Sequence, residues 1–242
     1  NGDMLDAIAN LRRESWGAIL TTMFIAGSET TAVTTAWTLC EFARYPEVQQ
    51  RARKEVLGFI NAAGGLERAL GPEGFAMAKL PFLEACVMEG LRLHPVADGA
   101  VIAHTSNKPF DMLGRSFPSG TKVVPLLKMA MRRDMAQRFG WEDLEEFRPQ
   151  RWLAEDGGID RERDKALLTF GAGPRVCPGA QMAKKQMAVL LCTLLSRFGS
   201  IRFDEALSGP GGSFVRQQML TSICPKNLHL VFEEHVAACA EN

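Results

Sequence analysis

Apolar side chains recur three and four positions apart along most of this chain, the spacing that places them on one face of an α-helix. The first such stretch is also the longest, and it predicts a single helix over residues 13–44. The same spacing predicts further helices over about 46–60, 80–93, 126–138 and 178–198. The third helix has a defined end, because Pro95 lacks a backbone N–H and disfavours helical backbone in the residue before it.

Two regions depart from this helical pattern. Residues 96–124 contain short alternating apolar segments separated by turns rich in Gly, Pro and Asn, which predict a small group of strands. Residues 140–165 show no periodicity and predict a long irregular surface segment, whereas alternation over 228–232 predicts a closing hairpin. The expected fold class is therefore mainly α with a small β region.

The composition is that of an ordinary globular protein, with 46% hydrophobic and 23% charged residues. No linker rich in Ser, Gly or Pro divides the 242 residues, so a single domain over 1–242 is expected. Lys and Arg number 28, as do Asp and Glu, which gives a formal net charge of zero. We expect no nucleic-acid partner, because nucleic-acid-binding domains carry a basic excess.

The six cysteines include no C-x-x-C pair and are too sparse for a disulfide-based scaffold, which favours a reducing compartment. The most apolar stretch, residues 17–27, is about half of the roughly 20 residues that a membrane-spanning helix needs. No transmembrane helix is therefore expected within this sequence.

The segment 170–179, Phe-Gly-Ala-Gly-Pro-Arg-Val-Cys-Pro-Gly, must make tight backbone turns directly before a helix. Cys177 is predicted at the N-cap, where free N–H groups and the positive end of the helix dipole favour a thiolate. Small neighbours would let a large flat group approach the backbone, and Arg175 would suit a carboxylate. Haem with its propionates fits this description. The alternative is that Cys177 is a small buried apolar residue.

A second candidate cluster lies midway along the first predicted helix and comprises Ala26, Gly27, Ser28, Glu29, Thr30 and Thr31. Gly27 would allow a ligand to lie against the helix backbone. Thr30 and Glu29 offer a hydroxyl and an ionisable acid for proton delivery. The alternative is that the hydroxyls bond to carbonyls one turn earlier and that Glu29 faces solvent.

A third candidate is the charge pair of Glu89 and Arg92, three positions apart on the helix that ends before Pro95. Taken alone, it is an ordinary exposed pair, which contributes only about 0.3–0.5 kcal/mol.

The segment 170–179 resembles the cysteine-ligand loop of the cytochrome P450 (haem-thiolate monooxygenase) family, F-x-x-G-x-R-x-C-x-G. Every fixed position matches, namely Phe170, Gly173, Arg175, Cys177 and Gly179. The resemblance implies that Cys177 is the proximal iron ligand of haem b (iron protoporphyrin IX). It also implies that this loop, including Gly171, lies against the cofactor.

The other two clusters resemble further motifs of the same family. The segment beginning at Ala26 is similar to A-G-x-[DE]-T-[TS], which lies over the distal face of the haem. This implies that Ala26 and Gly27 contact the cofactor and that Glu29 and Thr30 relay protons to that face. His104 falls where the family usually has an Arg, or a His, near a haem propionate, which implies the same contact here.

Glu89 and Arg92 resemble the E-x-x-R motif of the family, and residues 147–152 resemble the later segment whose arginine joins that pair. The resemblance implies that Glu89, Arg92 and Arg151 form a buried structural triad. Such a triad would hold the irregular segment against the core.

The resemblance implies a monooxygenase that inserts one oxygen atom of O₂ into a small, lipophilic organic substrate. Electrons would come from NAD(P)H through a flavoprotein or a ferredoxin, and Lys184 and Lys185 are candidates for receiving an acidic donor protein. Two alternatives stay open. One is a haem-thiolate isomerase or dehydratase that acts on peroxides, and the other is a truncated chain without haem or activity.

The match covers the C-terminal half of the family pattern, so an N-terminally truncated fragment is expected. The sequence does not decide membrane association or localisation. An anchor upstream of this segment would place the protein at the cytoplasmic face of the endoplasmic reticulum.

Overall fold

The computed structural model describes residues 12–71, 74–97, 104–212, 215–218 and 223–234. Its α-helices, in chain order, are α1 (Trp16–Arg44), α2 (Pro46–Ala63), α3 (Leu66–Leu70), α4 (Pro81–Leu93), α5 (Leu127–Phe139), α6 (Arg161–Lys165), α7 (Ala180–Arg197) and α8 (Glu205–Ser208). Short 3₁₀ turns occupy Arg13–Ser15, Met77–Lys79, Pro149–Trp152, Leu168–Phe170 and Gly173–Arg175. The predicted long helices are confirmed, with ends that differ from the prediction by at most three residues.

The strands that the structure describes form four antiparallel pairs. They are β1 (His104–Thr105) with β4 (Lys122–Val123), β2 (Phe110–Met112) with β3 (Arg115–Phe117), β5 (Phe198–Phe203) with β8 (Leu230–Glu234), and β6 (Val215–Gln218) with β7 (Ile223–Lys226). The expected fold class, mainly α with a small β region, is confirmed. Of the described helices, none is long and apolar enough to cross a membrane.

Local sequence signals explain where the helices begin and end. Both α2 and α4 start at a proline, which suits the first helical position because its missing N–H would have no partner there. Gly64 and Gly140 follow α2 and α5 with φ of +77° and +65°, the left-handed conformation that commonly ends a helix. As predicted, α4 stops two residues before Pro95.

The core is built around α4, in which every residue from Ala85 to Leu93 is buried. Helices α2 and α7 pack against it with side chains such as Val56 and Leu191. The long helix α1 is buried only from Thr34 onward, while its first half exposes large apolar residues such as Phe24, 75% exposed. The core thus lies beside the second half of α1.

The alternating pattern over 228–232 does correspond to a strand, β8, but the prediction that it forms a local hairpin is wrong. Strand β8 pairs with β5, some thirty residues earlier, where Ile201 lies opposite Phe232 and Phe203 opposite Leu230. The predicted last helix runs one residue too far. It includes Phe198, the first residue of β5, because the apolar spacing continues past the end of α7 at Arg197. Apolar cross-strand pairs between distant segments decide this register, and no local pattern shows them.

Helices α1 and α4 approach closely at Gly90. A Cβ atom built on Gly90 would lie 2.6 Å from Thr38 Oγ1, and Thr38 is itself fully buried. Since both residues are buried where the two helices meet, Gly90→Ala is expected to lower the free energy of unfolding by about 1–3 kcal/mol. Urea-induced unfolding of the full-length protein checks this.

Gly58→Ala is the matched control for this substitution. Gly58 is exposed in the middle of α2, and a Cβ atom there would meet nothing within 4 Å. Alanine should raise the free energy of unfolding by about 0.5–1 kcal/mol, because glycine is the poorer helix former. Equal effects of the two substitutions would contradict the close approach at Gly90.

Candidate active site

A cavity of about 420 Å³ lies between the middle of α1 and the glycine-rich segment 170–179. Its walls are mostly apolar and carry a few hydroxyls, one guanidinium and one thiol. The lining residues are Ala26, Thr30, Thr31, Thr34, Leu91, Val96, Ala97, Pro125, Leu127, Leu168, Thr169, Phe170, Gly171, Ala172, Arg175, Cys177, Ala183 and Met187. The structure therefore brings two of the sequence-predicted clusters to opposite sides of one space.

The cysteine loop, defined as residues 170–177, is closed by its own backbone. Phe170 O accepts a hydrogen bond from Cys177 N at 2.8 Å, and a 3₁₀ turn at Gly173–Arg175 reverses the chain between them. Gly171 and Gly173 have φ of +77° and +70°, which residues with a Cβ rarely adopt. This explains why a glycine-rich sequence is needed to present Cys177.

Cys177 lies before α7 rather than at its N-cap, which corrects the sequence expectation. The helix begins at Ala180 with Gly179 as the N-cap, because Pro178 and Gly179 form a turn in which Ala180 N donates to Cys177 O at 3.3 Å. The thiol is exposed and borders the cavity. It is therefore accessible to a bound group, and the alternative of a buried apolar cysteine is wrong.

The chemistry of the cysteine loop fits a haem. Gly171 and Ala172 border the cavity with almost no side chain, which leaves room for a flat ring system. Arg175 is exposed at the cavity edge, where its guanidinium suits a propionate carboxylate. Gly173 and Gly179 shape the loop instead of bordering the cavity, and a Cβ on Gly179 would lie 3.9 Å from Cys177 Sγ.

On α1, the residues that border the cavity include Ala26, Thr30 and Thr34, which are four apart and share one helix face. Thr30 Oγ1 donates to Ala26 O at 2.7 Å, and Thr34 Oγ1 donates to Thr30 O at 2.8 Å. This is the bonding to earlier carbonyls that the sequence left open as an alternative. A hydroxyl bonded in this way still has lone pairs with which to accept a hydrogen bond.

Two residues predicted beside Thr30 lie off this face. Gly27 borders a separate groove between α1 and α7, together with Met182 and Gln186. Glu29 is half-buried and does not border the cavity. Both roles, cofactor contact for Gly27 and proton transfer for Glu29, stay predictions.

Glu89, Arg92 and Arg151 come together in the core, as the resemblance implied. Arg92 Nε and Nη2 donate to the two carboxylate oxygens of Glu89 at 2.7 and 2.9 Å, and both side chains are fully buried. Arg151 Nε lies 3.1 Å from Glu89 Oε1. Burial lowers the pKa of Arg151, and the charge of Glu89 opposes that shift.

Sequence analysis did not single out Trp152, whose Nε1 donates to Glu89 Oε2 at 2.8 Å. Arg92 also donates to the carbonyls of Leu144 and Glu146, so this network holds the irregular segment to α4. The sequence did hold a signal for this contact, because Trp152 directly follows Arg151. A buried indole N–H needs an acceptor, and Glu89 is the nearby carboxylate.

A second buried polar group was also missed. His94 Nε2 lies 2.7 Å from Glu41 Oε1, and the His94 ring stacks on Trp37 at 4.2 Å. Trp37 Nε1 donates to Ile223 O, and Ile223 N donates to Val96 O, so this group supports the cavity wall at Val96. Glu41, an acid within an apolar helical stretch, was the signal in the sequence.

The remaining candidates are only partly placed. His104 belongs to β1, where it pairs with Val123, and its side chain is outside what the structure describes. The propionate contact of His104 therefore stays a prediction. Lys184 forms an ion pair with Asp164 at 3.1 Å and is 12% exposed, so it is a poor candidate for receiving a donor protein.

Comparisons with known proteins match most of this chain to one protein family. The family model described as Cytochrome P450 matches residues 4–207. Cytochrome P450 98A2 of Glycine max is 37% identical over 180 residues, which cover 74% of this chain and 33% of that protein. Steroid 21-hydroxylase of Sus scrofa is 35% identical over 192 residues, 76% of this chain and 35% of the relative. Cytochrome P450 76C3 of Arabidopsis thaliana is 32% identical over 204 residues, which cover 81% of this chain and 37% of that protein. The chain spans about a third of the length of these relatives.

Proposed function

This chain belongs to the cytochrome P450 family, and we propose on that premise that it forms the haem-binding part of a haem-thiolate monooxygenase. The substrate is a small, lipophilic organic molecule, and the electrons come from NAD(P)H through a flavoprotein or a ferredoxin. The observation that carries the proposal is that Cys177 and Thr30 border one and the same cavity. Its largely apolar walls suit a lipophilic substrate.

The residues around this cavity are those that would hold haem b. Cys177 Sγ would be the axial ligand, and Arg175 would pair with a propionate. Gly171 and Ala172 would lie against the ring because they have little side chain. When bound, the haem supplies the redox chemistry that activates O₂, and a thiolate ligand favours O–O cleavage.

Thr30 would move protons on the opposite side of the cavity. Its hydroxyl hydrogen is held by Ala26 O, so Oγ1 accepts from a proton donor within the cavity. Rotation of the O–H about the Cβ–Oγ1 bond frees the same hydroxyl to donate in turn. Glu29, the preceding residue, would supply the exchangeable proton.

The experiment that tests the function uses the full-length protein with haem, NADPH, a donor reductase and ¹⁸O₂. The probes are a fatty acid and a steroid, the latter chosen because one similar protein is named steroid 21-hydroxylase. We expect a product with one labelled oxygen atom and a strongly red-shifted Soret band for the reduced, CO-bound protein. Unlabelled product from a hydroperoxide without NADPH would favour the isomerase or dehydratase, and the lack of any thiolate band would contradict both.

Thr30→Ala separates oxygenation from peroxide rearrangement, because only oxygenation needs protons delivered into the cavity. We expect kcat to fall by about 100-fold with little change in KM, the size typical of a lost proton-transfer group. Steady-state kinetics of the labelled product measures this.

Two further variants control for the loss of a threonine from α1. Thr30→Ser keeps the hydroxyl and should retain most of the activity. Thr22→Ala removes an equivalent hydroxyl, which is bonded to Ala18 O and belongs to a residue that does not border the cavity, and should leave kcat unchanged. Unchanged turnover in Thr30→Ala would argue for the rearrangement chemistry.

A further inference from the structure

The carbonyl of Leu91, near the end of α4, cannot receive its normal helical hydrogen bond. The donor would be the N–H of the residue four positions later, and that residue is Pro95. The preceding carbonyl keeps its normal helical hydrogen bond, since Gly90 O accepts from His94 N at 2.9 Å. A buried carbonyl without a donor is unfavourable, so another part of the chain must supply one.

Thr169 supplies this donor. Its Oγ1 donates to Leu91 O at 3.0 Å, and the residue is 8% exposed. Thr169 is the central residue of the 3₁₀ turn Leu168–Phe170, which leads into the cysteine loop. The sulfur of Met131 also contacts this turn, 3.3 Å from Leu168 N and 3.7 Å from Thr169 Oγ1.

Thr169 directly precedes Phe170, the first residue of the cysteine loop. Phe170 O accepts from Cys177 N at 2.8 Å, so one peptide unit separates the anchor at Thr169 from the hydrogen bond that closes the loop. On the other side, α4 is fixed by the buried pair of Glu89 and Arg92. Two hydrogen bonds, linked by short stretches of backbone, thus connect α4 beside this core network to the loop that carries the thiol.

We propose that Thr169 is a positioning residue that fixes the cysteine loop to α4 and so sets the place of Cys177 Sγ. Its action on the haem rests on the function proposed above, whereas its action on the loop does not. Thr169 acts through Phe170 and need not touch the sulfur.

The hydroxyl is the part of Thr169 that matters. Valine has nearly the same shape but cannot donate, so Thr169→Val would leave Leu91 O buried without a partner. The turn would then separate from α4 or admit water, and the loop would lose its anchor. Serine keeps the donor, so Thr169→Ser should retain the anchor.

The test compares the wild-type full-length protein with Thr169→Val, Thr169→Ser and Thr193→Val. Thr193 is a matched control because its hydroxyl donates to Val189 O inside α7, where the helix already provides a backbone donor. The first measurement is hydrogen exchange of the Cys177 amide in the haem-free protein. The second is the fraction of the reduced, CO-bound haem that shows the thiolate band.

In Thr169→Val we expect the Cys177 amide to exchange about tenfold faster, the effect of losing one hydrogen bond, while amides of α2 keep their rates. The thiolate-bound fraction should fall in the same variant. Thr169→Ser and Thr193→Val should match the wild type in both measurements. If Thr169→Val does not fold, Thr169→Ala takes its place, with the same faster exchange expected.

Unchanged exchange at Cys177 in Thr169→Val would overturn the proposal. An equal acceleration in α2 would also overturn it, because that result would show a general loss of stability. If the wild type itself shows no thiolate band, the proposed function fails, and the exchange measurement still decides the role of Thr169.

Discussion

Replacing Cys177 by alanine is expected to abolish the thiolate band of the reduced, CO-bound protein together with all oxygenation of the probe substrates. Of the cysteines that the structure describes, Cys177 alone borders the cavity. No other described thiol is therefore placed to substitute for it as a ligand. Because its side chain is exposed, the free energy of unfolding of the haem-free protein should change by no more than about 0.5 kcal/mol. Absorption spectroscopy of the haem-loaded full-length protein and urea-induced unfolding of its haem-free form measure the two quantities.

Cys224→Ala provides the comparison for this loss. Cys224 is half-buried on β7 and does not border the cavity, so its removal should leave the thiolate band in place. A band that persists in Cys177→Ala would show that another residue ligates the iron. Loss of the band accompanied by a large drop in the stability of the haem-free protein would instead indicate that Cys177 acts through the fold.

The helices could be predicted because their signals are local. The apolar spacing and the prolines at positions 46, 81 and 95 place α2 and α4 within a few residues of their observed ends. The pairing of β5 with β8 could not be predicted, because it depends on side chains about thirty residues apart in the chain. The register of such a pair is decided by packing, which a local window does not contain.

The site shows the same division between local and distant information. The glycine-rich pattern of the cysteine loop was enough to make Cys177 and Arg175 candidates, and the structure places both at the border of the cavity. What the linear motif on α1 did not show is which face of the helix meets the cysteine loop. The helical rotation of about 100° per residue turns Gly27 away from the cavity bordered by Ala26 and Thr30.

The hydrogen bond of Thr169 was missed for a related reason. Pro95 shows from the sequence alone that the Leu91 carbonyl needs a donor from elsewhere. The sequence does not show which of the many hydroxyls in the chain supplies it. Only the fold brings a residue 78 positions later to that carbonyl.

Glu89→Gln is expected to lower the free energy of unfolding by about 3–5 kcal/mol, the cost typical of breaking a buried ion pair from one side. The Glu89 carboxylate is fully buried and accepts from Arg92, from the backbone N–H of Arg148 and from Trp152. An amide of the same size removes the negative charge and directs its own N–H groups at these donors. The guanidinium of Arg92 would then stay buried without a counter-charge, as would most of Arg151. Urea-induced unfolding of the full-length protein measures the change.

Glu146→Gln is the control at the surface of the same segment. Glu146 pairs with Arg148, and both side chains are about half exposed, so its loss should cost less than about 1 kcal/mol. The double variant Glu89→Met/Arg92→Leu should be more stable than Glu89→Gln, because it removes both charges of the closest pair. If Glu89→Gln costs no more than Glu146→Gln, the buried network does not hold the irregular segment to α4. If the double variant is the less stable, the hydrogen bonds from Arg92 to Leu144 and Glu146, rather than the balance of charge, hold that segment in place.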